Sequence, residues 1–174
     1  MTTLLEQLLE EPTQLETVAT LSERLETERE RRERFRDEVD PDQKAEFING
    51  QVVILSPALN RHLVVTDRLF SMLQAFVMRL NLGHVVTEKA RCGFPRNDYE
   101  PDVALFGLEQ VATIDLDTGL FPVPDFIATP TGFDLRLKSG TGEVTSRAVP
   151  GFQIPIRSLF DVAENLRILQ NIMG

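Results

Sequence analysis

The chain has 174 residues, 42% hydrophobic and 26% charged, with ten glycines and ten prolines, about one domain of ordinary globular composition. No apolar run approaches the roughly 18 residues that span a bilayer, and Met1–Glu6 lacks the basic start of a secretory signal, so the expected compartment is the cytoplasm, with no membrane partner. A formal charge of −9 and a pI near 4.8 exclude a protein that coats nucleic acid by bulk electrostatics, which needs clustered Lys and Arg; an enzyme that gathers carboxylates around a cation stays open.

Residues 1–42 read as a helical arm and 43–174 as the main domain. Thr3 with Glu6, and Thr20 with Glu23, have the Thr-x-x-Glu spacing of a helix start, and Pro12 separates two helices. From Glu23 to Glu38 seven acids interleave with six arginines around the sparse apolar Leu21, Leu25, Phe35 and Val39. That pattern predicts a solvated helix laced with i,i+4 pairs rather than a nucleic-acid helix. Asp40-Pro41 ends it.

Glu46–Ile48, Asn49-Gly50 and Gln51–Leu55 then predict a hairpin whose two-residue turn takes positive φ at both central positions. A helix is predicted from about Asn60 to Leu82, with Val65, Leu69, Met72, Leu73, Phe76 and Val77 at three- and four-residue steps, closed by Gly83. Strands follow at Val85–Phe94 and Val103–Phe106, the second apolar on both faces and so expected in a sheet interior. A short helix is expected at Leu108–Thr113 and a strand entry at Pro122–Ile127. Phe133–Lys138 turns at Ser139–Gly142 into a strand from Glu143 to Val149. Ser158-x-x-Asp161 caps a last helix with Leu159, Phe160, Ala163, Leu166 and Leu169 inward. The single Cys92 can make neither an internal disulfide nor a cysteine zinc site and is expected to fill space in a strand.

Gly-rich phosphate loops, His-x-x-x-His, Cys-x-x-Cys and Gly-x-Ser-x-Gly are absent from the sequence, so dinucleotide binding, zinc proteolysis and serine hydrolysis lack support. Carboxylates remain. Asp102, where a polar bend enters a buried strand, is either a ligand for a hard divalent cation or simply the residue that begins the strand. Glu46 and Glu88 can reach the same sheet edge or face solvent. His62, at the start of the long helix, can face the sheet or cap the helix, and Arg61 can meet a phosphate or water.

Four stretches together, Ala45–Val53, Leu55–His62, Arg96–Asp102 and Leu120–Ile127, resemble the Uma-type restriction endonucleases of the PD-(D/E)XK nuclease superfamily. Glu28–Phe35 and Pro150–Leu169 extend the likeness over nearly the whole chain. The resemblance implies a restriction-endonuclease-like α/β (α+β) fold, a mixed sheet flanked by helices, and hydrolysis of DNA phosphodiesters with Mg²⁺ or Mn²⁺. It implies Asp102 as the first metal carboxylate, with Glu46 and His62 as further catalytic contributors; Glu88, from its position near the same sheet edge, is taken as the second metal ligand.

The family continues after the Pro124–Ile127 motif into a strand carrying a glutamate, a Ser-Pro segment and a lysine-bearing helix. Here Ala128–Gly132 leads directly into what matches the family's late hairpin. A few dozen residues are expected to be missing after 127, about a quarter of a typical domain. Lys138 and Glu143 match other parts of the family and do not replace the lost groups. Losing one electrostatic stabiliser costs about 2.7–4 kcal/mol of barrier, or 10²–10³ in rate, so impaired catalysis is expected. The alternatives are a working nuclease with a substitute site, drawing on Asp102, Glu46, Glu88 or Asp125 or on a partner subunit, and a scaffold whose charged helix forms a homodimer.

Overall fold

The periodic apolar face of the long helix organises the core. In the computed structural model, which describes residues 13–40, 42–87, 89–128 and 141–174, this helix (α2, Asn60–Leu80) buries Met72, Leu73 and Val77. The charged arm α1 (Gln14–Glu38) precedes it, and the short α3 (Leu108–Val111) and the terminal α4 (Val162–Met173) follow.

The strands form three antiparallel sheets. The hairpin β1 (Ala45–Ile48) and β2 (Gln51–Ile54) joins β5 (Asp98–Tyr99) and β4 (Cys92–Gly93) in the order β2-β1-β5-β4. Strand β6 (Val103–Gly107) lies between β3 (Gly83–Thr87) and β7 (Phe126–Ala128), and β8 (Glu143–Thr145) pairs with β9 (Gln153–Pro155). The α+β class and the helical arm are as expected. All pairings between the named strands are antiparallel, with a parallel contact at the Cys92–Phe121 bridge.

Alternation along β6 divides the core. Val103 and Leu105 pack with Met72, Leu73, Val77, Phe152, Ile154 and Ile168, while Ala104 and Phe106 pack with Cys92 and Phe121 on the other side. Strand β6 is thus apolar on both faces because both are covered. At the hairpin, Asn49 (φ 50°) and Gly50 (φ 80°) take the two left-handed positions, and Ile48 pairs with Gln51.

Several boundaries differ from the sequence reading. Helix α1 runs through Thr20 without a start there, since extending a formed helix is far cheaper than nucleating another; Thr3, Glu6, Pro12 and Pro41 lie outside the described residues. Asn81, not Gly83, takes the left-handed C-cap of α2 (φ 52°). Gly83 instead opens β3 at φ 147°, where an added Cβ would lie 1.9 Å from the Phe106 carbonyl oxygen. The stretch Val85–Phe94 splits into β3 and β4, which belong to different sheets, around Lys89 at φ 56°. Glu143–Thr145 pairs with β9; the expected strand Phe133–Lys138 lies outside the described residues. Asp161 caps α4 by accepting the Glu164 N–H at 3.1 Å, while Ser158 sits in the preceding 3₁₀ turn (Ile156–Leu159). The buried face of α4 carries Asn165 and Ile168, leaving Phe160 and Leu166 exposed.

The close approach at Gly83 makes its replacement costly. Gly83→Ala is expected to lower unfolding stability by at least about 2 kcal/mol, from strain plus backbone collision. Gly119→Ala, at a position with no heavy atom within 4 Å of an added Cβ, should change it by less than about 0.5 kcal/mol in the same urea titration.

Candidate active site

Three elements deliver side chains to one point. Strand alternation puts Lys44, the residue before β1, on the same face as Glu46; the Leu55 N–H to Lys44 carbonyl bond (3.0 Å) extends the hairpin ladder to fix that position. The first turn of α2 brings His62. Asp102 stands immediately before β6, its N–H bonded to the Ala128 carbonyl at 2.9 Å.

Asp102 is 4% exposed. Its Oδ1 accepts a hydrogen bond from Lys44 Nζ at 2.7 Å, and its Oδ2 lies 2.9 Å from His62 Nε2. Glu46 is 1% exposed; its Oε1 accepts the Glu100 N–H at 3.0 Å, and its Oε2 has no partner among the described residues. Burial pushes the Glu46 carboxyl above the usual range. The Glu100 N–H and the Lys44 ammonium oppose that rise, while the charges of Glu100 and Asp102 add to it.

Asp98, Glu100 and Asp102 form a row of buried acids at alternate positions, each matched by cationic side chains from elsewhere in the chain. Glu100 pairs with Arg91 at 2.9 Å. Asp98, wholly buried, is gripped by Arg36 through two hydrogen bonds (2.7 and 2.8 Å) and by Arg32 at 2.5 Å. Arg32 also donates to the carbonyls of Phe94, Pro95 and Asn97, and Glu28 holds Arg96 by two bonds. Burial raises the Asp98 carboxyl, but the hydrogen bonds from Arg36 and Arg32 and their charges outweigh it and hold the group below its ordinary value. One face of α1 therefore fastens the bend leading to Asp102, so part of its interleaved charge faces inward.

Of the residues singled out in the sequence, Asp102 and His62 are in direct contact, and Glu46 lies close enough for its ionisation to respond to Asp102. Glu88 and Lys138 lie outside the described residues. Asp125 accepts the Gly107 N–H at 2.7 Å, at the opposite end of β6 from Asp102, and Glu143 bonds Gln153. Cys92 is buried, its thiol pushed up to about 12 by burial and by the nearby Asp98 and Glu100 charges, which suits a space-filling role. Sequence reasoning missed Lys44, the arginines that hold Asp98, and the buried row itself. The two-residue spacing of Lys44 and Glu46 was the available signal for the first.

These residues do not fit a two-carboxylate metal centre. Asp102 Oδ1 accepts from Lys44 and Oδ2 lies against the His62 ring nitrogen, and the strand residue bonded beside it, Ala128, offers only a methyl group. Among the described residues no group of three His, Cys, Asp or Glu side chains is placed to hold a metal ion.

The sequence pattern of Uma2, described as "Putative restriction endonuclease", matches residues 28–128, more than half of the chain. The chain belongs to the Uma2 family. A solved structure from Anabaena variabilis ATCC 29413, described as a putative nuclease belonging to DUF820, is similar at 18% identity with a TM-score of 0.43, covering 48% of this chain and 48% of that one. The chain thus spans about half the length of that relative. No curated protein matches it. The Uma2 match contains Lys44, Glu46, His62 and Asp102 and ends at Ala128. No helix among the described residues is long and apolar enough to cross a membrane.

Two variants test the electrostatics of this Uma2 site. Asp98→Ala strands two guanidinium groups and is expected to cost about 3–5 kcal/mol of unfolding free energy. Because the folded-state value of Asp98 is lowered, its stabilisation is present above the ordinary carboxylate value of about 3.9 and is lost as pH falls through the lower folded value. The wild-type advantage over Asp98→Ala should therefore shrink below about pH 4. Glu46 has the opposite sign. Its raised folded value gives a contribution present below about pH 4.3 and lost as pH rises through the folded value, so Glu46→Gln should remove a decline in stability above that pH in denaturant titrations.

Proposed function

We infer that this Uma2 chain descends from a metal-dependent endonuclease acting on DNA phosphodiesters, and that its hydrolytic activity is strongly impaired. The observation that carries the reading is the pairing of both Asp102 oxygens with Lys44 and His62, beside an alanine on β7. A divalent ion in a nuclease polarises the phosphoryl oxygen and lowers the pKa of its bound water, and hard-cation sites depend on the number of charged ligands. On the reading that the family's glutamate and lysine segment is absent after Ile127, Asp102 is left as the family's acid without its usual company. DNA is the proposed partner, Mg²⁺ or Mn²⁺ the cofactor of the ancestral reaction, and the cytoplasm the setting.

A second reading is favoured by one observation. Lys44 and Glu46 bring an ammonium and an acid to the surviving aspartate from β1, the two kinds of group expected to be missing. Under that reading Asp102 and Glu46 are the acids, Lys44 orients or activates the nucleophile, and His62 positions Asp102.

Supercoiled plasmid incubated with purified protein and Mg²⁺ or Mn²⁺ separates the two. The impaired reading expects intact plasmid, with a rate at least about 10²-fold below that of a complete family member. Nicking that is abolished by Asp102→Ala, and reduced by Glu46→Gln, would establish the second reading instead.

A further inference from the structure

Mg²⁺ needs carboxylate oxygens that are free to approach to about 2.0–2.1 Å in a near-octahedral shell. Around Asp102 that approach is occupied: Lys44 Nζ is 2.7 Å from Oδ1 and His62 Nε2 is 2.9 Å from Oδ2. Lys44 is not a loose surface group. Its backbone carbonyl is bonded into the hairpin, and its side chain is 24% exposed. Its ammonium is a fixed positive charge against the carboxylate, the electrostatic task that a metal ion performs in a carboxylate site.

We propose that Lys44 is a built-in cation that takes the place of a divalent metal at Asp102 and keeps the site in a metal-free form. The proposal rests on the reading of Asp102 as the family's surviving metal carboxylate. Asp102 is too buried to remain charged without a partner, and after the lysine is removed a divalent ion is the natural replacement. Glu46 Oε2, without a partner among the described residues, is an acceptor that can join it.

The test uses the full chain and Mn²⁺, with free ion read by electron paramagnetic resonance and stability by thermal unfolding. Wild type, Lys44→Met and Lys44→Met/Asp102→Asn are compared. Wild type is expected to show no Asp102-dependent binding up to about 1 mM Mn²⁺, the range of weak hard-cation sites. Lys44→Met should melt lower than wild type in chelator, bind Mn²⁺ at least about tenfold more tightly, and regain thermal stability as Mn²⁺ is added. The double variant should lose that binding. If Lys44→Met does not fold without metal, folding restored by Mn²⁺ supports the proposal and folding not restored overturns it. Millimolar or tighter Mn²⁺ binding to wild type that Asp102→Asn removes overturns it too, as does a folded Lys44→Met that binds no better than wild type. These readouts follow the ion alone, so failure of the impaired-nuclease reading, which registers as plasmid nicking, is distinguishable.

Discussion

A carboxylate removed from water at the head of a central strand needs compensating charge, because leaving one buried ion unpaired costs several kcal/mol. At Asp102 that charge comes from Lys44, just before β1, while His62, in the first turn of α2, lies against the other oxygen. The contact ties a hairpin, a helix and an interior strand at one point, and it determines what the site can hold. With Lys44 on one oxygen and the His62 ring against the other, this aspartate holds three elements together.

The same rule repeats along the bend. Asp98, Glu100 and Asp102 are buried at alternate positions, and each is answered by a separate cationic side chain or pair: Arg32 and Arg36 from α1, Arg91 from the turn before β4, and Lys44, with His62 beside it. Arg91 also lies over the Phe35 ring of α1, 5.0 Å from its centroid, so the arm meets the bend by a cation–π contact as well as ion pairs. A chain of net charge −9 thus places several of its cations against its own buried acids. Those cations are engaged in positioning the bend.

Much of the fold was legible because it rests on local rules. Asn49-Gly50 specified its turn, the three- and four-residue apolar steps specified α2, and the unbroken apolar run of β6 announced a strand covered on both sides. What failed were decisions made by tertiary contact. Whether Val85–Phe94 is one strand or two depends on which sheet each half joins, and the left-handed cap passed from Gly83 to Asn81 because Gly83 lies against the Phe106 carbonyl. At the site, Asp102, His62 and Glu46 stood out as chemistry-bearing residues near structural boundaries. Lys44 did not, because a lone lysine before a strand reads as a surface charge until the strand that carries it is laid beside Asp102. The arginines of α1 were hidden in the same way: an interleaved charge pattern shows that ion pairs form, and not that one face of the helix grips a buried aspartate some sixty residues later in the chain.

The central claim is that the positive charge at Asp102 belongs to the protein. Its most direct test is anomalous diffraction from crystals of the wild-type chain soaked in Mn²⁺. The account predicts no anomalous peak within coordination distance of the Asp102 carboxylate and a Lys44 ammonium still bonded to Oδ1. A peak bridging Asp102 and Glu46, with Lys44 displaced, would contradict it.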